Sequence, residues 1–447
     1  MALTLLFSFA VAAFSPNVSV DHGRSCGNPL ITLGPSLGGT HPVYVVMADG
    51  QNVVFQKSTD AGMTWLAENM VVGQGGASDL TTDPEGNVYI MCGQSGHIYC
   101  VMSTDGGGTW CLPRKVDDND TAVKVWGAHV AASTDGRLFC AWIDPRTGES
   151  HIWSSVSSDR GTTWSTNICV DEGYSGSRAY VSVQPGTDHY LVASENEELD
   201  ACLYRSQDAG RTFEPGVRLE TSGAHTAEPH IVSDREHVVC DYTDDDGNNE
   251  LTKARTLYTW ADTWGSCKSI TDPSYNSYYS GPLAISADGR VHAALMMNHR
   301  DGRYDTYYSC STDHGATWSA CERVNDDTMG DKWSPAIAAD KDGHAYLVWE
   351  DGRESGPGVW FSTNNWSPNA RHPTQPSSFL PPASVVRGVL YLPRRAPAAF
   401  SLLSSDGRKA LELRAGANDV SHLGPGVYFV RDTQARTVEA SRVLIVR

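Results

Sequence analysis

Three side chains of this sequence have the chemical types that general acid–base or nucleophilic catalysis needs: Glu228, Asp79 and Tyr279. A positioned carboxyl group or phenol can take a proton from a reacting group or give one to it. Arg178 adds a guanidinium, which holds a carboxylate through two parallel hydrogen bonds. These residues predict acid–base chemistry on an anionic ligand, if the fold brings them together.

The same stretches of chain carry a wider set of candidate ligand-binding residues. The set combines flat aromatic faces, both signs of charge and two imidazoles, which suits sugar rings and their hydroxyls or carboxylates. A solvated rim has a similar composition, since a pocket recruits only a few convergent polar groups. The candidates are Trp126, His129, Arg178, Tyr180, Glu228, His230, Lys332 and Trp333.

These candidates are spaced along repeats of an eight-residue signature, Ser-x-Asp-x-Gly-x-Thr-Trp. Intact copies begin at Ser58, Ser103, Ser157, Ser206 and Ser311. A degenerate copy spans Leu257–Trp264, and a shortened copy begins at Ser362. Ser and Asp bond local backbone groups, Gly supplies a positive φ, and the terminal aromatic ring plugs a core between sheets. The residues predicted to have these structural roles are Asp60, Trp65, Asp105, Trp110, Asp159, Trp164, Asp208, Phe213, Asp313 and Trp318.

The signature resembles the Asp-box, or BNR repeat, of bacterial sialidase-type propellers, and the resemblance covers residues 28–369. The resemblance implies an all-β fold, a β-propeller, and the seven units counted in the sequence predict seven blades with four strands in each. A box that joins the third and fourth strands lies on the same face as the turns between the first and second strands. The ligand is expected on the opposite face, where the loops before each first strand lie.

The resemblance does not extend to the catalytic residues of sialidases. Those enzymes use three arginines, and the first normally precedes the first box in an Arg-Ile-Pro motif. Here the corresponding residues 37–44 contain no Arg, and the chain has seven units where the hydrolases have six blades. The sequence therefore predicts a propeller that binds glycan or another extracellular macromolecule without turnover. The alternative is a hydrolase or polysaccharide lyase that acts on anionic sugars.

Charge and composition narrow the set of partners. The formal net charge of −19 argues against nucleic acid, because phosphate binding needs clustered Lys and Arg. The acidic stretch 241–250 offers oxygen ligands for calcium, but its spacing differs from that of an EF-hand, so a solvated turn is predicted. We expect a monomer with no transmembrane span, no metal and no cofactor.

A second repeated motif ends the second strand of two units. It reads Trp142-Ile-Asp-Pro-Arg146 in one unit and Trp349-Glu-Asp-Gly-Arg353 in another. Each Arg is expected on the ligand face, where its guanidinium could bind a carboxylate through two hydrogen bonds. Because the motif recurs, we expect its Asp and Arg to bond each other or the backbone instead.

The two ends of the chain predict export. Residues 1–14 form a short apolar segment typical of a secretory signal, although no Lys or Arg precedes the apolar run. A Pro- and Ser-rich linker at 370–384 separates the repeats from residues 385–447, where short alternating strands predict a small β-sandwich. This segment resembles the sorting domain of type IX secretion cargo, and a fibronectin-like adhesion module is the alternative. The expected location is secreted, or on the outer-membrane surface of a Gram-negative-type bacterium.

Eleven cysteines leave two interpretations open. Cys100 and Cys111 flank the second box, and Cys310 and Cys321 flank the sixth, so each pair has the spacing for a bridge across a hairpin in an oxidising compartment. Otherwise they are small buried hydrophobic residues.

Overall fold

The fold was analysed in a computed structural model. It describes residues 14–171, 179–196, 198, 200–220, 225–245, 250–259, 261–271, 276–279, 281–298, 302–327, 329–353, 357–365, 383–386, 389–392, 400–404, 408–414, 416–432 and 440–445. The chain divides into two compact units, Met1–Ser367 and Pro368–Arg447. All described elements are strands, which confirms the predicted all-β class, and no helix in this part of the chain is able to span a membrane.

The strands of the first unit form seven antiparallel sheets within the described residues, the number of units counted in the sequence. The first three sheets contain β2 (Gly27–Leu33), β3 (Val43–Asp49), β4 (Asn52–Ser58) and β5 (Met70–Gln74); β6 (Gly76–Thr82), β7 (Val88–Gln94), β8 (His97–Ser103) and β9 (Arg114–Lys115); β10 (Trp126–Ala132), β11 (Leu138–Asp144), β12 (His151–Ser157) and β13 (Ile168–Cys169).

The next two sheets contain β14 (Ala179–Val183), β15 (Tyr190–Glu195), β16 (Ala201–Ser206) and β17 (Val217–Arg218); β18 (His225–Ser233), β19 (His237–Asp245), β20 (Glu250–Tyr258), β21 (Thr263–Trp264) and β22 (Lys268–Ser269). The last two contain β23 (Asn276–Tyr279), β24 (Leu283–Ile285), β25 (Val291–Asn298), β26 (Tyr304–Ser311) and β27 (Glu322–Arg323); β28 (Lys332–Ala339), β29 (Ala345–Asp351), β30 (Gly358–Thr363) and, from the start of the chain, β1 (Val18–Ser19).

The second unit contains a five-stranded sheet and a two-stranded sheet. Its strands are β31 (Ala383–Val386), β32 (Val389–Leu392), β33 (Phe400–Ser404), β34 (Lys409–Leu413), β35 (Gly416–Asp419), β36 (Gly426–Asp432) and β37 (Ala440–Ile445). β31 begins one residue before the predicted end of the linker at residue 384. The assignment of this unit as a sorting domain stays a prediction.

The first strands of the seven sheets contact one another in a closed cycle, in which β2 touches both β6 and β28. β1 completes the last sheet by pairing with β30, where Val18 lies opposite Phe361. The fold therefore starts before residue 28, the predicted boundary. A strand of two residues is too short to show a periodic pattern, so β1 could not be predicted from the sequence. Closure removes the exposed strand edges that an open array would leave.

The apolar core lies between neighbouring sheets. The second strands are buried on both faces, as in β11, whose seven residues are all buried. Between the third and fourth sheets, Phe139 and Ile143 of β11 pack with Tyr190 and Val192 of β15. Fully burying one such side chain contributes about 1.5–3 kcal/mol. A single sheet has no partner for these faces, so the repeats are stable only when they are stacked.

The signature folds as a turn that its own side chains hold together. In the first copy Asp60 Oδ1 accepts a hydrogen bond from the N–H of Thr64 at 2.8 Å, and Asp60 Oδ2 accepts one from the Thr64 hydroxyl at 2.6 Å. The N–H of Gly62 donates to Ser58 Oγ at 2.8 Å. Trp65 then packs edge-on against Phe361 of the preceding sheet. The same Asp contacts recur at Asp105, Asp159, Asp208 and Asp313.

Asp60→Ala is expected to lower the free energy of unfolding by about 1–2 kcal/mol, because two donors of Thr64 lose their acceptor. Ligand affinity of the folded fraction should stay unchanged, since the turn lies at the box end of the sheets. Thermal and urea melts beside ligand titrations check both expectations. Loss of ligand binding at an unchanged melting temperature would instead place the ligand on the box face.

All eleven cysteines are free thiols in the structure. Cys100 and Cys111 do not form a bridge, and the Cys111 sulfur accepts a hydrogen bond from the N–H of Met102 at 3.3 Å. Cys310 and Cys321 are also unbridged. Of the two interpretations, the arrangement agrees with partly or fully buried thiols.

Candidate functional site

A cavity of about 1040 Å³ lies at the end of the sheets where the first strands begin. The boxes follow the third strands and lie at the opposite end, together with the turns between first and second strands. Predicted site residues that line this cavity are Asp79, His129, Tyr180, Glu228, His230 and Trp333. The fold thus brings together side chains from five different sheets.

The first strands are irregular where they line the cavity. Their register shifts between Ala77 and Asp79, between Ala227 and His230, and between Trp333 and Ala336. Such β-bulges re-aim side chains and are frequent at functional sites.

Three non-glycine residues on the first strands have a left-handed backbone: Asn28 with φ 48°, Glu228 with φ 52° and Ser334 with φ 46°. This conformation costs of order 1–3 kcal/mol and persists only where the surrounding structure holds it. Each of the three is followed directly by a proline. That recurring X-Pro pair is the sequence signal that marks these positions.

The phenol ring of Tyr180 lies between two imidazoles. Tyr180 is on β14, His129 is on β10 of the preceding sheet, and His230 is on β18 of the following sheet. The ring centroids of His129 and Tyr180 are 4.2 Å apart, and those of Tyr180 and His230 are also 4.2 Å apart. The two histidines therefore flank Tyr180.

Each imidazole has a carboxylate next to its Nδ1 atom. Asp79 Oδ2 is 3.4 Å from His129 Nδ1 and accepts the N–H of Val130 at 2.8 Å. The other oxygen of Asp79 accepts the N–H of Leu80 at 2.8 Å. A carboxylate at Nδ1 orients the ring and stabilises the imidazolium that forms when Nε2 takes a proton.

The second pair is more deeply buried. Asp241 Oδ1 is 3.3 Å from His230 Nδ1, and the Asp241 side chain is fully buried. Burial raises the pKa of Asp241, and the contacts with His230 counter this only in part. The sequence had assigned Asp241 to a solvated acidic turn. The structure corrects this, because Asp241 belongs to β19, where Cys240 and Tyr242 are also buried.

Glu195 is a cavity residue that the sequence did not suggest. It ends β15, is almost fully buried, and accepts a hydrogen bond from the backbone N–H of Glu228. Acidic residues end the second strand in other repeats too, at Asp49, Asp144 and Asp351. A comparison of the repeats therefore marks Glu195 as architecture, and only the structure shows it in the cavity wall.

Lys332 does not line the cavity. Its ammonium is fully buried, 3.1 Å from Asp351 Oδ1 and 3.3 Å from Asp327 Oδ1, and it donates to the carbonyl of Met329 at 2.6 Å. Its neighbour Trp333 faces the cavity with 38% of its surface exposed and packs against Tyr304, with ring centroids 4.9 Å apart.

Three other predicted site residues have no described side chain. Arg178 lies outside the described residues, and for Trp126 and Tyr279 only the backbone, in β10 and β23, is described. Of the stretch predicted as a calcium-binding alternative, residues 246–249 are also outside. Within it, Asp244 Oδ2 is 2.6 Å from Lys253 Nζ.

The arginines of the repeated Trp-x-Asp-x-Arg motif bond within the motif, as expected. Arg146 Nη2 lies 2.7 Å from Asp144 Oδ2, and its guanidinium covers the ring of Trp153. Arg353 makes the same contacts with Asp351 and Trp360. These guanidinium groups hold the ends of the second strands.

The sheets, the boxes and the cavity define a β-propeller of BNR repeats. The family of the BNR repeat-like domain matches residues 12–293, and the chain belongs to this family. The search of curated proteins found no match to this chain.

Three solved structures share the fold at low identity. A polysaccharide lyase of family PL25, an ulvan lyase, is 14% identical with a TM-score of 0.55, over 77% of this chain and 95% of its own. A fungal alcohol oxidase in complex with copper is 11% identical with a TM-score of 0.53, over 97% and 99%. The polysaccharide lyase Uly1 is 8% identical with a TM-score of 0.52, over 75% and 89%. Such identities establish the fold alone.

Proposed function

We propose that this protein is a glycan-active propeller that cleaves uronate-containing polysaccharides by β-elimination at the cavity of Tyr180. The observation that carries the proposal is the Tyr180 ring flanked by His129 and His230, each backed by a carboxylate. A site that only binds sugar presents an open aromatic face to the ring. Here imidazoles flank the phenol, an arrangement suited to moving protons.

The reaction needs one base and one acid. An imidazole removes the proton at C5 of the uronate, the C4–O4 bond breaks, a C4=C5 double bond forms, and the phenol of Tyr180 protonates the departing O4. We assign the base to His129. It is more exposed than His230, and the carboxylate of Asp79 behind it is held by two backbone N–H groups that stabilise its negative charge.

The substrate carboxylate needs a cation, because proton loss beside it builds up negative charge. The described lining of the cavity contains no Lys or Arg. Arg178 precedes Tyr180 by two residues in the sequence and is the proposed anchor. We assign Glu228 and Glu195, which also line the cavity, to the binding of sugar hydroxyls. Two of the proteins with the same fold are polysaccharide lyases, which supports the reaction class.

The second candidate is binding without turnover, which the missing sialidase motif favours. The exposed face of Trp333 beside Tyr304 gives it structural support, because sugar rings stack on such surfaces. In that case the protein recognises an extracellular glycan or macromolecule as a monomer.

The two candidates are separated by incubating the full chain with polysaccharides that contain glucuronate, galacturonate or mannuronate. Ultraviolet absorbance of the conjugated double bond reports β-elimination, and calorimetry on the same polymers reports binding. Unsaturated product, formed equally with a chelator present, supports the lyase without a metal-dependent step. Binding without product supports the second candidate. If neither product nor binding is detected, both candidates are overturned.

We also infer that the protein is secreted or displayed on the outer-membrane surface through type IX machinery. The support is the short apolar segment at residues 1–14 and the C-terminal segment 385–447. Fractionating cells that express the full chain or a chain ending at Ser367 tests this. Equal amounts of both forms at the surface would contradict it.

A further inference from the structure

An exposed aromatic ring lies on the wall of the cavity that is opposite Tyr180. Trp333, on β28 of the seventh sheet, lines the cavity and is exposed. Tyr180 is on β14 of the fourth sheet. In a closed cycle of seven sheets no two sheets are more than three steps apart, and the fourth and seventh sheets have this largest separation. Trp333 and Tyr180 therefore belong to opposite walls of the cavity.

A second aromatic ring supports Trp333 from the neighbouring sheet. Trp333 packs against Tyr304, the first residue of β26, with ring centroids 4.9 Å apart and planes inclined by 38°. The backbone N–H of Tyr304 donates to Asp331 Oδ1 at 3.1 Å, two residues before Trp333. Because the same two segments are joined by a ring contact and a hydrogen bond, the aromatic pair is assembled before any ligand binds.

The backbone on both sides of Trp333 is also held in place. Its predecessor Lys332 has a buried ammonium 3.1 Å from Asp351 Oδ1. Its successor Ser334 has a left-handed backbone, with φ 46°. A rigid aromatic side chain loses little conformational entropy when a ligand binds, so more of its contact energy contributes to affinity.

Comparison of the repeats shows that the fold does not require a tryptophan at this place. Trp333 is the residue before the register shift in the first strand of its sheet. In three other sheets the residue before the shift is Gly27, Trp126 and Ala227. Since glycine and alanine are sufficient in two sheets, a large ring is not needed for packing there. A residue that differs between equivalent positions is a better candidate for function than one that recurs.

The size of the cavity allows a ligand to reach both walls. Its volume of about 1040 Å³ is at the upper end of the range of about 300–1,000 Å³ found for sites that enclose drug-sized ligands. The cavity therefore has room for more than one sugar residue. A chain that places one uronate at Tyr180 and His129 extends from there towards the opposite wall. The sugar that arrives at that wall meets the flat apolar face of Trp333.

We propose that Trp333, supported by Tyr304, forms a sugar-binding subsite that gives the protein its preference for long chains. It stacks on a sugar other than the uronate whose C4–O4 bond is cleaved. This inference rests on the proposed function of the cavity and extends it from the reacting uronate to the rest of the chain. A short oligosaccharide with its uronate at Tyr180 does not reach Trp333. The protein therefore binds within a polymer and prefers long oligosaccharides to short ones.

The test compares the full chain with Trp333→Ala and with the conservative variant Trp333→Phe. The substrates are a trisaccharide and an octasaccharide from the uronate polymer that the wild type cleaves or binds. Trp333→Ala should raise KM for the octasaccharide about 10-fold at unchanged kcat, because the stack is the same in the ground state and the transition state. KM for the trisaccharide should not change. Trp333→Phe keeps an aromatic face and should restore most of the loss, and thermal melts check the fold.

Binding gives a second measurement that does not depend on turnover. In calorimetry on the Tyr180→Phe protein, adding Trp333→Ala should raise Kd for the octasaccharide about 10-fold and leave Kd for the trisaccharide unchanged. Oxidative footprinting read by mass spectrometry should show Trp333 of the Tyr180→Phe protein protected by the octasaccharide and not by the trisaccharide. Footprinting needs no change at Trp333, so it decides the matter if Trp333→Ala fails to fold.

The outcomes separate the subsite from the reaction. If Trp333→Ala affects both chain lengths equally or neither of them, or if the octasaccharide leaves Trp333 unprotected, the subsite is overturned, while product formation by the wild type still supports the lyase. If the wild type forms no product but binds the octasaccharide through Trp333, the lyase is overturned and the subsite is supported. If no uronate chain binds, both are overturned.

Discussion

Tyr180→Phe is expected to lower kcat for polysaccharide cleavage by about 10²–10⁴-fold, the contribution of a positioned general acid. Phenylalanine keeps the ring between His129 and His230 and removes only the hydroxyl that protonates the leaving oxygen. KM should therefore change little. Absorbance of the unsaturated product gives the rate, and a thermal melt checks that the fold is intact.

The matched control is the second imidazole. His129→Gln should lose as much activity as Tyr180→Phe, because the base is gone, whereas His230→Gln should lose less. Asp60→Ala in a box should retain the wild-type rate per folded molecule. If Tyr180→Phe keeps full activity, or if it raises KM at constant kcat, Tyr180 binds substrate and does not transfer a proton.

Asp351→Ala is expected to lower the free energy of unfolding by about 3–5 kcal/mol, the cost of removing one partner from a buried ion pair. Asp351 Oδ1 lies 3.1 Å from the buried ammonium of Lys332. Its Oδ2 accepts the indole N–H of Trp349 at 3.0 Å and a guanidinium N–H of Arg353 at 2.7 Å. These contacts outweigh desolvation and hold the pKa of Asp351 below its ordinary value. Urea unfolding at neutral pH measures the loss.

Asp144→Ala is the matched control for this variant. Asp144 holds Arg146 and the indole of Trp142 in the same way, at 2.7 Å and 3.4 Å, but no lysine contact with Asp144 occurs within the described residues. Asp144→Ala should lower the free energy of unfolding by less than Asp351→Ala does. The difference between the two variants measures the contribution of the contact with Lys332. Equal losses in the two variants would show that the buried ammonium contributes nothing to stability.

Local chemistry explains what the sequence predicted well. The box closes on itself within eight residues, so its hydrogen bonds follow from Ser58, Asp60, Gly62 and Thr64 alone. The end of the sheets at which the cavity lies could also be predicted, because a strand that starts at one end of a sheet must finish at the other. Six candidate residues meet there for that reason.

Contacts between sheets explain what the sequence did not predict. The pairing of His230 with Asp241 depends on the register of β18 against β19, which a bulge shifts. Lys332 and Trp333 are adjacent in sequence yet have opposite environments, since alternate residues of a strand point to opposite faces. Glu195 lines the cavity and accepts the backbone N–H of Glu228, a contact between two neighbouring sheets.

The short strand β1 sets the order in which the ring can be completed. It pairs with Trp360 and Phe361, and the hydroxyl of Ser15 contacts that of Ser362, 347 residues away along the chain. Contacts between such distant residues form slowly, because the loop between them must close first. Until residue 363 has been synthesised, β1 has no partner and the seventh sheet is absent. The ring of sheets therefore stays open until the last strand of the first unit has been synthesised, and its closure is the final step in the folding of that unit.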